Sequence, residues 1–191
     1  MRVLGIDHGT STTGWGLLDV TMDSEGTLSF KHIEHGLIWK PKDMSYPYYM
    51  KYMVQALRDK LAELHPEYVA LEAPKDNRGF KATQVLTELL GSIKTMCMET
   101  GYGFCEIPPS TMKKIVTGYG WSNKEEVARA AAETLGLQFE DIVAVEYYKS
   151  GAKAGQVKKL LLDGTDALGL ALSLVPYTKD HGGLDYNPKR G

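Results

Sequence analysis

Residues 2–20 read RVLGIDHGTSTTGWGLLDV. An apolar run, Val3-Leu4-Gly5-Ile6, ends on Asp7. His8, Gly9 and four small hydroxyl residues, Thr10, Ser11, Thr12 and Thr13, follow, and apolar character returns at Trp15-Gly16-Leu17-Leu18. The pattern predicts a strand over 2–7 and an antiparallel partner over 14–20. A carboxylate at the end of a central strand is costly unless something compensates its charge. A metal ion or a bound phosphate site would do so.

Working outward, residues 27–39 alternate and are rich in β-formers, so they predict a third strand, entered through the turn residues Asp23-Ser24-Glu25-Gly26. After a loop over 41–47, Met50, Met53, Val54, Leu57, Leu61 and Leu64 recur at helical spacing up to Pro66. YVALE (68–72) then repeats the opening oddity, a short apolar strand ending in a carboxylate. A helix is expected over 82–100, closed by Gly101. A strand follows at Phe104-Cys105-Glu106-Ile107, stopped by Pro108-Pro109. Ser122-Asn123-Lys124-Glu125 reads as a capping box opening a helix to Leu135. Residues 137–161 carry no readable period. A last helix starts near Asp163 and runs to about Pro176. Strands followed by alternating strands and helices imply an α/β mixed sheet with helices packed on it, one domain over 1–178 and a flexible tail over 179–191.

The 191 residues are enough for one domain with a real core, and the composition, 43% hydrophobic and 24% charged, is globular. No apolar run approaches the ~20 residues a membrane helix needs. The start of the chain lacks a signal-peptide pattern, so a cytoplasmic protein is expected. Cys97 and Cys105 have no ligand spacing with histidine and read as buried thiols. Lys and Arg (22) nearly balance Asp and Glu (24), so any affinity for a polyanion must come from local basic surfaces. Three segments offer one: Lys75, Arg78 and Lys81 around Asp76; Lys113-Lys114; and Lys149, Lys153, Lys158 and Lys159, with no acid from 147 to 162.

Four acids share a setting. Asp7 and Glu72 end apolar strands. Asp163 and Asp166 lie in LLLDGTDALGLAL (160–172), three apart and so on one face of a helix. Asp163 alone could simply cap that helix. Together the four would repel unless cations join them, and hard divalent ions match oxygen ligands. Two such ions about 4 Å apart form the arrangement that hydrolyses phosphodiesters.

GIDHGTSTTGWGLLD, VALEA, the segment 113–124 and LLLDGTDALGLAL, in this order, resemble the RuvC-type Holliday junction resolvases of the RNase H-like superfamily. The size fits the stand-alone members, phage versions included. The resemblance implies an RNase H-like five-stranded mixed sheet, three antiparallel strands then two parallel, flanked by helices. It implies that Asp7, Glu72, Asp163 and Asp166 hold two Mg2+ ions, with Mn2+ able to substitute. It also implies catalytic roles for Lys113 and Lys124, which fall with Gly118 and Gly120 in the pattern K-x-x-[VT]-x-G-x-G-x-x-x-K. The substrate implied is branched DNA, above all four-way junctions, cut by paired symmetric nicks from a homodimer. Lys75, Arg78, Phe80, Lys81, Lys113, Lys114, Lys124 and Lys153 are the expected DNA contacts. The apolar helix 82–100, with Leu89 and Ile93, is the expected dimer face.

The chain departs from the family's pattern in three places. His8 stands where proline usually follows the first Asp. Ala73-Pro74-Lys75 follows Glu72, where family members commonly carry a base-stacking aromatic; Phe80 is the nearest one here. Residues 137–161 are longer than expected, and their lysines suit an added DNA-contacting hairpin or helix. Rival readings remain. Asp7-His8-Gly9-Thr10-Ser11-Thr12-Thr13 also fits the phosphate hairpin of sugar kinases and actin-like ATPases, although 191 residues leave no room for their two lobes. A DNA-structure-binding protein without catalysis would lack one of the acids. An RNase H-like nuclease acting on flaps or RNA–DNA hybrids would share the metal chemistry.

Overall fold

The computed structural model describes residues 1–74 and 80–190. Three antiparallel strands come first: β1 (Arg2–Asp7), β2 (Thr12–Met22) and β3 (Leu28–Trp39). Helix α1 (Tyr48–Leu64), strand β4 (Tyr68–Glu72), helix α2 (Phe80–Thr100) and strand β5 (Gly103–Ile107) follow. The sheet order is β3-β2-β1-β4-β5. β1 pairs antiparallel with β2 and parallel with β4, and β4 pairs parallel with β5. Asp7 and Glu72 therefore reach the same end of adjacent strands.

Strand parity decides which way those acids face. Leu4 and Ile6, with Val69 and Leu71, pack into the core cluster that takes in α1 and α2. The intervening Val3 and Ala70 pack on the other face, in the cluster built with α4 (Lys124–Leu135) and the final helix α6 (Asp163–Asp180). Asp7 and Glu72 continue that second register, so both point toward α6.

Helix α6 is buried from Gly164 through Leu174. It can lie this close to the sheet because Gly5 offers no side chain: a Cβ there would come within 1.8 Å of the Ala167 carbonyl oxygen. At Gly14 a Cβ would meet the Asp163 carbonyl oxygen at 2.0 Å. These two glycines set the distance between the central strands and the helix that carries two of the acids. Gly5→Ala is expected to force α6 outward and to cost about 3 kcal/mol or more, the upper end for overpacking a core, read as a lower urea midpoint.

Several elements differ from the sequence reading. Helix α3 (Pro109–Thr117) lies where Pro108-Pro109 was read only as a stop. Pro108 is extended and Pro109 is the first helical residue, where its missing N–H leaves no orphan. The capping box of α4 (Lys124–Leu135) is shifted by one residue: Asn123 Oδ1 accepts from the Glu126 N–H, and the Glu126 carboxylate accepts from the Asn123 N–H. Ser122 does not cap because it is buried and its hydroxyl meets Thr117 Oγ1 at 2.8 Å. Residues 137–161 form a short helix α5 (Phe139–Ile142) and a hairpin of β6 (Ala144–Tyr147) and β7 (Val157–Leu161), which leads directly into α6. Helix α6 runs past Pro176 to Asp180. Beyond it, Tyr186 bridges to Phe104 on β5, and the Asp185 carboxylate accepts from the Glu106 N–H. Leu89, Leu90, Ile93, Met96 and Cys97 of α2 are consumed by the core of the single chain, so they do not form the expected dimer face.

A carboxylate cluster closed by one lysine

β1, β4 and α6 deliver their acids to one place. Ligand oxygens of Asp7, Asp163 and Asp166 lie within 4.8 Å of one another. Asp163 is the first residue of α6, and the N-cap position is Leu162, with no side-chain capping bond. Asp163 is thus turned to the other acids instead of to its own helix end. Glu72 lies within hydrogen-bonding reach of Asp7. Burial raises the Asp7 pKa well above its ordinary value, and the charges of Glu72 and Asp166 add to this. Asp166 is raised as well, chiefly by burial, with Lys124 opposing.

The Lys124 ammonium sits among these oxygens, 2.5 Å from Asp166, 3.1 Å from Asp163 and 3.8 Å from Asp7. Burial works to lower its pKa, but the three carboxylates outweigh it and hold the ammonium above its usual range. A lysine at the first position of a helix opposes the helix dipole. Here the acids offset that cost, and the Asn123 cap fixes where the lysine projects from.

The other expected site residues are placed as follows. Lys113 does not join the acids; its ammonium donates to the Ser122 carbonyl, bracing the α3–α4 loop. Lys114 is exposed on α3. Lys153 lies in the β6–β7 connection, 5.8 Å over the Tyr148 ring. Lys75 and Arg78 fall outside the described residues, as do the side chains of Phe80 and Lys81. His8 is buried and lines a cleft with Glu72, Pro74 and Thr83. Two residues that sequence reading passed over stand out at this end of the sheet. Trp121 and Tyr119, in the α3–α4 loop, are 86% and 62% exposed. The signal was there: two aromatics alternating with glycines, five and seven residues after Lys114.

A mixed sheet with acids converging from two parallel-paired strands and a helix start is the RNase H-like nuclease architecture. A solved structure described as T. thermophilus RuvC in complex with Holliday junction substrate has the same fold, with a TM-score of 0.71 at 21% identity, covering 96% of this chain and 98% of that one. The family model described as crossover junction endodeoxyribonuclease RuvC matches residues 3–144. The relative of that name from Syntrophomonas wolfei is 33% identical over 138 residues, 72% of this chain and 77% of its own length. The one from Chlorobium phaeovibrioides is 30% identical over 172 residues, 90% of this chain and 79% of its own. The chain belongs to the RuvC crossover junction endodeoxyribonuclease family. It is an endodeoxyribonuclease of a metal-dependent class, with a buried acidic cluster. The ATP-binding alternative finds no support: the matched relatives are nucleases, and Asp7 faces other acids. No described helix is long and apolar enough to cross a membrane.

Proposed function

We propose that the protein resolves four-way DNA junctions by paired nicks, acting as a homodimer, with Asp7, Glu72, Asp163 and Asp166 as the catalytic acids. The observation that carries this reading is the Asp7–Asp163–Asp166 cluster with Lys124 among its oxygens. Such a concentration of buried negative charge is stable only with cations in it, and its all-oxygen donor set fits Mg2+, or Mn2+ in its place. Two ions would be held, and when bound they supply an activated water and stabilise the leaving oxygen. A two-fold dimer puts two such sites on opposite strands of a junction.

The chain's own residues do the rest. The 9–12 turn brings backbone close to the phosphate, with no room for a side chain at Gly9. Lys124 is positioned to offset negative charge that develops at the phosphate once the acids engage metal. Lys113 holds the loop that presents Lys124. Lys114 and Lys153, with Lys75, Arg78, Phe80 and Lys81, are assigned to the DNA backbone and bases. The bacterial origin of the matched relatives supports a cytoplasmic location, in a bacterium or a phage-infected cell.

The test is cleavage of labelled four-way junction, duplex, flap and RNA–DNA hybrid in Mg2+. Symmetric nicks leaving 5′-phosphates on the junction alone are expected. Equal cutting of flaps or hybrids would replace the proposal with a broader nuclease.

A further inference from the structure

We propose that the loop between α3 and α4 is a base-stacking platform, on which Trp121, with Tyr119 beside it in the turn, receives an unstacked nucleobase close to the scissile phosphate. This rests on the nuclease reading above and names a residue that gives it substrate selectivity.

Trp121 is the most exposed of the large apolar side chains described. A single exposed apolar residue is ordinary, so placement and rigidity carry the argument. The loop is tied on both sides. Gly118, in the left-handed region, donates to the Lys114 carbonyl at 2.9 Å. The Tyr119 N–H donates to Thr117 Oγ1 at 3.1 Å. The Ser122 N–H donates to the Tyr119 carbonyl at 3.3 Å, closing a turn with Gly120 and Trp121 at its corners. Ser122 itself is buried, and Lys113 caps its carbonyl. Gly120 lies against α3: a Cβ there would sit 3.1 Å from the Ser110 carbonyl oxygen. The backbone that carries the indole is therefore held on a braced corner, so stacking need not order the loop.

Its surroundings choose the occupant. Residues 110–124 contain three lysines and no acid. Lys113 braces the loop and Lys124 lies among the acids, so the free charge is that of exposed Lys114, packed against Gly120 between the two aromatics, while Tyr119 shares its cleft with Arg129, Glu126 and Glu133. Flat aromatics within a cationic surface are the chemistry of single-stranded nucleic-acid recognition. Trp121 is three positions before Lys124, whose ammonium lies in the acid cluster. At most about 11 Å separates their backbones, the reach of three extended residues. At about 3.4 Å per base step that distance covers roughly three nucleotides. Paired duplex offers no free base face there, whereas a junction crossover does. No aromatic directly follows Glu72, where Ala73-Pro74 stand instead.

The test uses the full chain and a synthetic four-way junction carrying 2-aminopurine at the crossover, with Ca2+ replacing Mg2+ for binding. Trp121→Ala is expected to weaken junction binding about 10-fold, within the 1–3 kcal/mol typical of base–aromatic stacking, while Trp121→Phe stays within about 3-fold. Emission from 2-aminopurine, quenched in the parent complex, is expected to recover with Trp121→Ala. Melting temperatures of both variants should match the parent, since the ring is not in the core. Parent-like affinity and quenching for Trp121→Ala would overturn the platform, as would a change in solution mass showing that Trp121 joins two copies. If the parent cuts the junction in Mg2+ while Trp121→Ala binds normally, only this inference fails. If the parent cuts no branched DNA, the nuclease reading fails first.

Discussion

Asp7→Asn is expected to lower the single-turnover rate of junction cleavage by at least about 10³-fold, while raising the melting temperature of the protein measured without divalent ions. The first effect follows from the position of Asp7, which lies beside Glu72 with its carboxylate within 4.8 Å of those of Asp163 and Asp166. A metal supplies several kcal/mol of charge stabilisation to phosphoryl chemistry, and each ~1.4 kcal/mol is tenfold in rate. The second effect follows from burial. Burial first, then Glu72 and Asp166, raises the Asp7 pKa well above that of an exposed Asp. The folded state thus holds a proton more tightly than the unfolded chain, and ionising Asp7 destabilises the fold. That penalty is absent below the unfolded pKa, grows as pH rises toward the folded value, and is constant above it. Asparagine removes it, so the variant's advantage is largest at high pH and fades toward pH 4. At roughly 2–4 °C per kcal/mol for a chain of this size, a shift of a few degrees is expected. Excess Mg2+ should raise the melting temperature of the parent and close the gap. A variant that cleaves within tenfold of the parent would remove Asp7 from the chemistry.

Lys124→Met is expected to cut the cleavage rate by roughly 10²–10³-fold, the range for losing one preorganised charge-stabilising group. It should also make the melting temperature more dependent on metal. With Lys124 gone, Asp7, Asp163 and Asp166 face one another with no cation among them. Removing one partner of a buried ion pair costs about 3–5 kcal/mol. The Lys124 side chain is 52% exposed, so solvent screening reduces this to a fraction of that. Melting without divalent ions should drop by a few degrees and recover with Mg2+. Unchanged melting with and without Mg2+ would mean that the ammonium does not neutralise the cluster. Lys124→Arg is not a conservative control, because a planar fork cannot replace a compact charge among three carboxylates.

These two residues also show what the sequence made legible. Asp7 could be read because period-2 alternation is local: an apolar strand ending in a carboxylate is visible in six letters. Asp163 and Asp166 could be read because a spacing of three fixes a shared helix face. That the strand and helix faces meet depends on Gly5 and Gly14, whose missing side chains let α6 approach, and no local pattern announces that contact. Helix α3 was hidden because proline stops a strand and starts a helix with the same residue. The cap of α4 moved by one position because Ser122 and Asn123 are both good caps, and only the burial of Ser122 against Thr117 excludes it. The β6–β7 hairpin has exposed faces on both strands, so it lacks the alternation that burial writes into sequence. The apolar excess of α2 was read as a dimer face because a helix buried against both α1 and the sheet needs more than one apolar stripe, and periodicity alone cannot say what covers it.

One measurement bears most directly on the site: crystals of the protein grown with Mn2+ and examined by anomalous diffraction. Two Mn2+ peaks within the carboxylates of Asp7, Glu72, Asp163 and Asp166, both lost in Asp7→Asn, are the expected result. Full cleavage activity in Mn2+ with no peak among these four acids would contradict it and place the chemistry elsewhere on the molecule.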